Sequence, residues 1–298
     1  MQSLLKRVYQ RKAIAKPGLL FYWWRNIGNA SRTRRARAAP DAYSDAKQIA
    51  EEITQQGIVM GPSDQFLSAE GKQALAEASK RVLELSSQSK VRNTVTGGAS
   101  DDKKSFLVRL VSPEEKHPSD SPLLKLALDN KLLEIVSQYL GLWPRLHSIG
   151  AWVNFPTKNQ PEKSQLWHRD PEDVKLLKVF IYLVDVDENC GPFSYIRKSH
   201  PFSNGAAKVP AHKDSKRITD EEMQRTFPSN LWLACTGPAN TMILADTIGY
   251  HRGGKPLEGV RVLITFTYTS GVPFEDRSLH IEGRPAWIST EIQEAALS

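Results

Sequence analysis

The sequence predicts an α+β protein, in which a jelly-roll (cupin-like) core is backed by helices on its N-terminal side. Two observations support this fold class. Residues 44–141 contain segments whose apolar residues recur at helical spacing. From about residue 146 the apolar residues alternate or form short runs between Gly and Pro, which is typical of an antiparallel sandwich or barrel. We therefore expect an N-terminal arm at 1–43 and a single domain at 44–298, with helices at 44–141 and the jelly roll at 146–270.

The helical half has clear start and stop signals. Ser121 and Pro122 fit the N-cap and first position of a helix, and Gly141 follows its last turn. Asp129 and Asn130 mark a point at which this helix could be divided. The predicted elements are helices at 44–57, 68–88 and 121–141, a strand at 58–60, and a loop or short hairpin at 92–104.

The second half consists of short apolar runs with turn residues between them. The alternation of side chains along each run indicates strands with one face toward a core. Such a series of strands, with the helices gathered before it, indicates a jelly roll rather than a parallel sheet. The predicted strands are 146–155, 164–168, 177–186, 192–197, 231–235, 240–246 and 260–270.

Charge is distributed unevenly along the 298 residues, whose formal net charge is +7. Residues 1–40 carry ten Lys and Arg and no acidic residue, whereas residues 41–298 carry 30 basic against 33 acidic residues. Because the excess is confined to the arm, we expect no specific nucleic-acid binding by the domain. The two cysteines, Cys190 and Cys235, exclude a disulfide scaffold and a cysteine zinc site, and suit a reducing compartment such as the cytoplasm.

The arm contains the aromatic segment 17-PGLLFYWWRN-26, which is too short for a membrane span and lacks the features of a secretory signal. Three interpretations remain open. The arm could dock loosely on the domain through Trp23 and Trp24. Residues 1–40 could contact a membrane surface, since Trp, Tyr and basic residues favour an anionic interface. In a eukaryote, this Arg-rich, acid-free segment could direct organelle import.

His168 and Asp170 stand two residues apart in 166-LWHRDPED-173. On a strand, such residues point to the same face and can converge on one metal ion. The alternative is structural: Asp170 before Pro171 has the form of a helix N-cap. The pair by itself does not decide between the two.

The later segment 243–268 favours the metal interpretation. A predicted strand ends at Asp246, His251 lies in the loop beyond it, and Arg261 opens the next strand. Two His and one carboxylate with open positions form the facial triad of non-haem Fe(II) oxygenases. An Arg beside such a site can bind a carboxylate through two parallel hydrogen bonds.

With these residues in place, the sequence resembles the phytanoyl-CoA dioxygenase-like iron(II)/2-oxoglutarate oxygenases. The resemblance covers residues 45–275 and rests on 138-QYLG-141, 167-WHRD-170, 187-DENCGPFSYIRKSHP-201, and Asp246, His251 and Arg261 in that order. It implies a double-stranded β-helix. It also implies Fe(II), 2-oxoglutarate and O2 as cofactor and cosubstrates, His168, Asp170 and His251 as the catalytic iron ligands, and Arg261 as the 2-oxoglutarate anchor.

The resemblance further implies oxidative decarboxylation of 2-oxoglutarate to succinate and CO2, coupled to attack on an unactivated C–H bond. Halogenating relatives carry Gly or Ala in place of the aspartate, so the presence of Asp170 favours hydroxylation. The expected substrate is a small or lipid-linked molecule. The alternative function is a catalytically silent cupin-like binding module, with an arm that binds a membrane or a polyanion.

A few further residues lie near the predicted centre. Gln165 and Thr265 are candidates for contact with the cosubstrate. The alternatives are that Gln165 is an ordinary surface glutamine and that Thr265 packs in the core. Phe180 and Tyr182 fit core packing. Lys178 is predicted to share their face, where a buried ammonium is stable only at the mouth of the site or against a carboxylate.

Overall fold

The computed structural model describes residues 19–88, 106–170, 172–203 and 217–298. Its helices are α1 (Leu19–Trp23), α2 (Ala30–Ala38), α3 (Ala46–Gln56), α4 (Ala69–Ser87), α5 (Pro122–Ala127), α6 (Asn130–Leu140), α7 (Asp220–Gln224) and α8 (Glu291–Leu297). Its strands are β1 (Ile58–Pro62), β2 (Leu107–Val111), β3 (Lys116–Pro118), β4 (Arg145–Asn154), β5 (Leu177–Tyr182), β6 (Phe193–Ile196), β7 (Trp232–Cys235), β8 (Thr241–Ala245), β9 (His251–Gly253), β10 (Arg261–Thr269) and β11 (His280–Glu282).

Two antiparallel sheets form the jelly roll. The larger sheet has the strand order β1-β8-β5-β10-β4-β2, and the smaller sheet has the order β7-β6-β9. Between the two sheets lies an apolar cluster that includes Ile58, Tyr182, Phe193, Tyr195 and Leu263. The outer face of the larger sheet packs on the helices in a second, more extensive core. The predicted α+β jelly roll with supporting helices is therefore confirmed.

The helical half follows the start and stop signals of the sequence. The helix predicted at 121–141 is divided, because Asp129 ends α5 and caps α6 by accepting a hydrogen bond from the backbone N–H of Leu132 at 3.0 Å. Gly57 and Gly141 end α3 and α6 with φ of 83° and 73°, a left-handed conformation that glycine adopts at little cost. The segment 92–104 lies outside the described residues.

The strand prediction was wrong in two places. Residues 163–165 form a 3-10 turn rather than the start of a strand, and 167 and 168 make only isolated bridges. The strand predicted at 177–186 ends at Tyr182. Sequence patterns also missed β2, β3, β9 and β11.

Part of the predicted arm packs closely on the domain. Trp24, in the π-helical turn after α1, is buried, and its indole N–H donates to Asp173 Oδ1 at 2.8 Å and Ser270 Oγ at 3.1 Å. Arg32 donates to the backbone carbonyls of Trp143, Pro144 and Ala295. The boundary at residue 43 stays a prediction, although these contacts join the arm to the core. Across the described ranges, every helix is too short or too polar to cross a bilayer.

Candidate metal centre

Backbone pairing brings the two predicted histidine ligands together. His168 and His251 form an antiparallel bridge, in which the N–H of each donates to the carbonyl of the other at 2.9 and 3.0 Å. The N–H of Asp170 continues this pairing by donating to the carbonyl of Thr247 at 2.8 Å. Arg169 points elsewhere, and its guanidinium donates to the carbonyls of Ile248 and Ser199. The segment before β5 is thereby fixed against the start of β9, which carries His251, and against the loop that precedes it.

The side chains of His168, Asp170 and His251 converge within this pairing. One ligand atom from each lies within 4.8 Å of the other two. Asp170 Oδ2 is 3.1 Å from His251 Nε2, and Asp170 Oδ1 is 3.7 Å from His168 Nε2. Both imidazoles are buried, whereas Asp170 is about a quarter exposed. Solvent therefore reaches the cluster at Asp170 rather than at the two imidazoles.

The hydrogen bonds of the two imidazoles determine which nitrogen is available to a metal. His168 Nδ1 lies 2.8 Å from the carbonyl of Leu166, and His251 Nδ1 lies 3.0 Å from the carbonyl of Gly249. A carbonyl only accepts, so the proton is placed on Nδ1 and the lone pair of Nε2 faces the cluster. Burial, followed by the neighbouring His251, lowers the pKa of His168 to about 3, which keeps this ring neutral near pH 7.

These donors fit a ferrous ion. Two imidazole Nε2 atoms and one carboxylate on a single side match the facial arrangement of non-haem iron sites and leave the remaining positions open. Without a cation, two lone pairs and a carboxylate would face each other inside the protein, which is unfavourable. The cluster therefore has the chemistry of a metal site that retains room for further ligands.

Arg261 supplies the second component of the centre. It opens β10 and is buried, and within the described residues its Nε and Nη1 atoms have no hydrogen-bond partner. A Cβ added at Gly253, two residues after His251, would come within 3.1 Å of Arg261 Nη2, so the guanidinium lies beside β9. Burial lowers the pKa of Arg261, but arginine stays charged. A buried guanidinium with unused donors is suited to an anionic group such as a carboxylate.

Lys178 bridges two carboxylates next to the cluster. Its Nζ donates to Asp170 Oδ2 at 2.8 Å and to Glu172 Oε1 at 2.7 Å. Burial tends to raise the pKa of Asp170, but Lys178 and the two histidines hold it well below its ordinary value. Burial likewise raises the pKa of Glu172, and there it outweighs Lys178. Of the two placements expected for Lys178, the structure shows the one against a carboxylate.

Gln165 and Thr265 are both buried, and their predicted roles stay predictions. Gln165 Oε1 accepts from the backbone N–H of Glu162 at 3.1 Å, while its Nε2 has no partner in the described part of the chain. Its 3-10 turn lies near Gly253, the neighbour of the Arg261 guanidinium. Thr265 lies mid-strand in β10, opposite Phe180 and Gly150, where packing is its visible role.

The helix-cap interpretation of Asp170 was wrong, because no helix is present at 172–176 and the carboxylate faces the two histidines instead. Glu172 was missed by the sequence analysis. The available signal was its spacing, since it lies two residues after Asp170 just as Asp170 lies two residues after His168. Spacing of this kind identifies a candidate, but only the position of Lys178 shows that Glu172 belongs to the centre.

An antiparallel jelly roll that holds two imidazoles, one carboxylate and a buried guanidinium, with two nitrogens unpartnered among the described residues, defines the iron- and 2-oxoglutarate-dependent oxygenases as the class of this protein. Comparison with family models agrees. The model described as "Phytanoyl-CoA dioxygenase (PhyH)" matches residues 53–237. The chain belongs to the phytanoyl-CoA dioxygenase family. The match includes His168 and Asp170 but ends before His251, which the structure brings to them, and before Arg261, whose guanidinium lies beside β9.

Solved structures share the fold at low sequence identity. The hydroxyectoine-bound EctD from S. alaskensis, a structure that also holds 2-oxoglutarate, is 20% identical over 87% of this chain and 90% of its own, with a TM-score of 0.52. The carbocyclase SnoK from nogalamycin biosynthesis is 19% identical over 83% and 88%, with a TM-score of 0.52. The epimerase SnoN, in complex with Fe3+, alpha ketoglutarate and a nogalamycin compound, is 15% identical over 77% and 85%, with the same score. Among curated proteins, no sequence matches this chain.

Proposed function

We propose that this oxygenase hydroxylates an unactivated C–H bond of a small organic substrate, with oxidative decarboxylation of 2-oxoglutarate to succinate and CO2. The observation that carries the proposal is the convergence of His168, Asp170 and His251 with their lone pairs directed at one another. Proteins that share this fold include an epimerase and a carbocyclase, so the fold alone does not select hydroxylation.

Each residue has a distinct task in this proposal. His168 and His251 bind iron through Nε2, and their Nδ1–H groups stay bonded to backbone carbonyls, so the rings cannot turn away. Asp170 supplies the negative charge. Arg261 binds the carboxylate of 2-oxoglutarate that is remote from the metal, which satisfies the unused Nε and Nη1. When bound, Fe(II), 2-oxoglutarate and O2 together supply the oxidising power, and the protein orients the reactants and excludes water.

The first experiment tests cofactor binding without turnover. Fe(II) and 2-oxoglutarate are added to the protein under anaerobic conditions, and the visible metal-to-ligand charge-transfer absorption is recorded. We expect this band for the native chain and its loss in Asp170→Ala. Absence of the band in a folded native chain would contradict the proposal and favour a silent binding module of the same fold.

The second experiment tests the reaction itself. Candidate substrates are incubated with the enzyme, 2-oxoglutarate and isotopically labelled oxygen gas, and succinate and products are measured by mass spectrometry. Hydroxylation adds one labelled oxygen atom to the product for each succinate formed. A product that has lost two hydrogens without gaining labelled oxygen would instead show desaturation or cyclisation. A product of unchanged mass would show epimerisation.

We also propose that the arm contacts an anionic membrane surface and brings the enzyme to an anionic or lipid-linked substrate. The supporting feature is a group of exposed apolar side chains, Tyr22, Trp23 and Ile27, which are 62%, 60% and 53% exposed. Trp24 holds this turn to the domain through its bonds to Asp173 and Ser270. The absence of acidic residues from 1–40 gives the arm a charge complementary to anionic lipid.

Vesicle sedimentation at low salt tests this contact. Full-length protein should sediment with phosphatidylserine-containing vesicles but not with phosphatidylcholine alone, and added salt should release it. Trp23→Ala combined with Ile27→Ala should abolish sedimentation. Leu257→Ala serves as the control, because Leu257 is equally exposed, at 65%, but lies on another element. If native protein stays in the supernatant, the exposed group of side chains serves another purpose, such as contact with residues 1–18 or with a second copy.

A further inference from the structure

The metal cluster has a second carboxylate close to it that the proposed iron chemistry does not use. Glu172 Oε1 is held by Lys178 Nζ at 2.7 Å, and the same ammonium holds Asp170 Oδ2 at 2.8 Å. The carboxylates of Glu172 and the proposed ligand Asp170 are therefore separated only by the shared ammonium group of Lys178. Its other oxygen, Oε2, is buried and has no hydrogen-bond partner within the described ranges. Such an oxygen has the free lone pairs of a metal ligand.

A second carboxylate on the iron would interfere with the cosubstrate. The facial arrangement uses three protein ligands, and 2-oxoglutarate and oxygen need the positions that remain. Glutamate binds divalent metals as readily as aspartate does. A glutamate next to an open metal site must therefore be held in place by another residue if the remaining positions are to stay free.

Lys178 is placed to provide this restraint. It extends from β5, its side chain is only 14% exposed, and both of its carboxylate partners are themselves mostly buried. Two charge-assisted contacts in a buried location are strong, and breaking one would leave an unpaired charge inside the protein. A carboxylate held in this way is not free to move to the metal.

We propose that Lys178 is a positioning residue that holds Glu172 off the iron and so keeps a coordination position free for 2-oxoglutarate. This inference rests on the proposed function, because it assumes that iron binds at His168, Asp170 and His251. Lys178 acts through Glu172 and touches neither the metal nor the substrate. Its removal frees Glu172 to occupy an open position, where it competes with the chelating cosubstrate.

The test compares metal affinity with cosubstrate affinity in anaerobic protein. Calorimetry with Co(II) measures metal binding alone, and the charge-transfer absorption with Fe(II) measures 2-oxoglutarate binding. For Lys178→Met we expect Co(II) to bind as tightly as to the native protein or more tightly, since a cation next to the site is removed. We expect 2-oxoglutarate to bind about 10–100-fold more weakly, the range in which residues supporting metal ligands act.

Two further variants separate this restraint from a general loss of structure. In the double variant Lys178→Met with Glu172→Gln, the neutral amide is a poor ligand, so 2-oxoglutarate binding should recover. Lys131→Met is the matched control, because Lys131 pairs with Asp45 at 2.7 Å, is 11% exposed and lies on α6, away from the centre. That variant should lose stability but retain both affinities.

The outcomes are distinguishable. If native protein binds no Co(II) and shows no absorption with Fe(II) and 2-oxoglutarate, the proposed function fails. If native protein binds both but Lys178→Met matches it, the restraint by Lys178 is refuted. Weaker Co(II) binding in Lys178→Met, or no recovery in the double variant, also overturns the inference. If Lys178→Met alone does not fold, Lys178→Gln and the double variant, which contains no unpaired glutamate, carry the same comparison.

Discussion

Asp170 and Asp173 lie three residues apart in the same short segment, yet their surroundings differ completely. Asp173 is fully buried and accepts hydrogen bonds from the indole of Trp24 and from the backbone N–H groups of Val174 and Ser270, at 2.6–2.8 Å. Asp170 accepts a hydrogen bond from Lys178 Nζ at 2.8 Å, but it also faces the Nε2 atoms of two histidines, which are acceptors once Nδ1 carries the proton. A carboxylate surrounded by donors alone is structural, whereas one that also faces two imidazole lone pairs is suited to a metal cation.

The same distinction separates two arginines. Arg32 is bound by the backbone carbonyls of Trp143, Pro144 and Ala295. Arg261 is more deeply buried but has two nitrogens without partners in the described part of the chain. Buried polar groups are nearly always paired in native proteins, so an unpaired one needs an explanation such as a ligand. In these two pairs, the hydrogen-bond partners distinguish the residue of the centre from the structural residue better than burial does.

Replacing each aspartate gives the largest expected contrast. Asp170→Ala should lower Fe(II) affinity by at least about 100-fold, since even residues that only support a metal ligand contribute about 10–100-fold. Asp173→Asn should retain metal binding but lower the free energy of unfolding by about 1–3 kcal/mol, because its amide group would face N–H donors. Calorimetry with Co(II) and urea denaturation measure the two effects. Equal metal affinities in the two variants would contradict the assignment.

Replacing each arginine should separate cosubstrate binding from stability. Arg261→Met should weaken 2-oxoglutarate binding by more than about 100-fold, because removing one partner of a buried ion pair costs about 3–5 kcal/mol. Arg32→Met should lower the melting temperature and leave 2-oxoglutarate binding to the folded protein unchanged. Titration of the anaerobic charge-transfer band gives the affinity. If Arg261→Met binds 2-oxoglutarate with native affinity, Arg261 does not bind the carboxylate of the cosubstrate.

Trp24→Phe tests the structural role of Asp173 by removing one of its hydrogen-bond donors instead of the carboxylate. Phe fills most of the same space but has no indole N–H, so Asp173 and Ser270 each lose a partner. We expect the free energy of unfolding to fall by about 1–3 kcal/mol, while metal binding stays native. Trp23→Phe, on the exposed neighbour, is the control and should change little. A native melting temperature for Trp24→Phe would show that the arm is not anchored by this contact.

Acid should weaken the fold gradually through the buried histidines that stay neutral. Burial, followed by Lys175, lowers the pKa of His200 to about 3, and its Nε2 lies 3.2 Å from the carbonyl of Thr54. Below its ordinary pKa the unfolded chain takes up a proton that the folded chain refuses, so stability is complete above about pH 6.5 and is lost as the pH falls toward 3.

For this single group the loss should reach roughly 2 kcal/mol at pH 5. His200→Gln removes the contribution and should flatten the dependence of the unfolding free energy on pH between 7 and 5. His280→Gln, at an exposed position, should leave the slope as it is in the native chain. A slope unchanged by His200→Gln would show that this ring is protonated in the folded protein.

From the sequence alone, the fold class and the main helix boundaries within 44–141 could be predicted, and four residues could be nominated for the centre. Capping residues, left-handed glycines and apolar periodicity act locally, so Ser121, Asp129 and Gly141 could be interpreted without knowing their neighbours. The spacing of His168, Asp170, His251 and Arg261 was informative because the types of side chain needed for iron and a carboxylate are few.

Which polar groups contact one another became known from the tertiary structure. The bridge between His168 and His251 joins segments more than eighty residues apart in the printed sequence, and Trp24 meets Asp173 across an even longer separation. Lys178 binds Glu172 because the chain turns between them and β5 directs the ammonium back toward Asp170. Contacts of this kind depend on strand pairing and on the path of the chain, and no local pattern of residues records them.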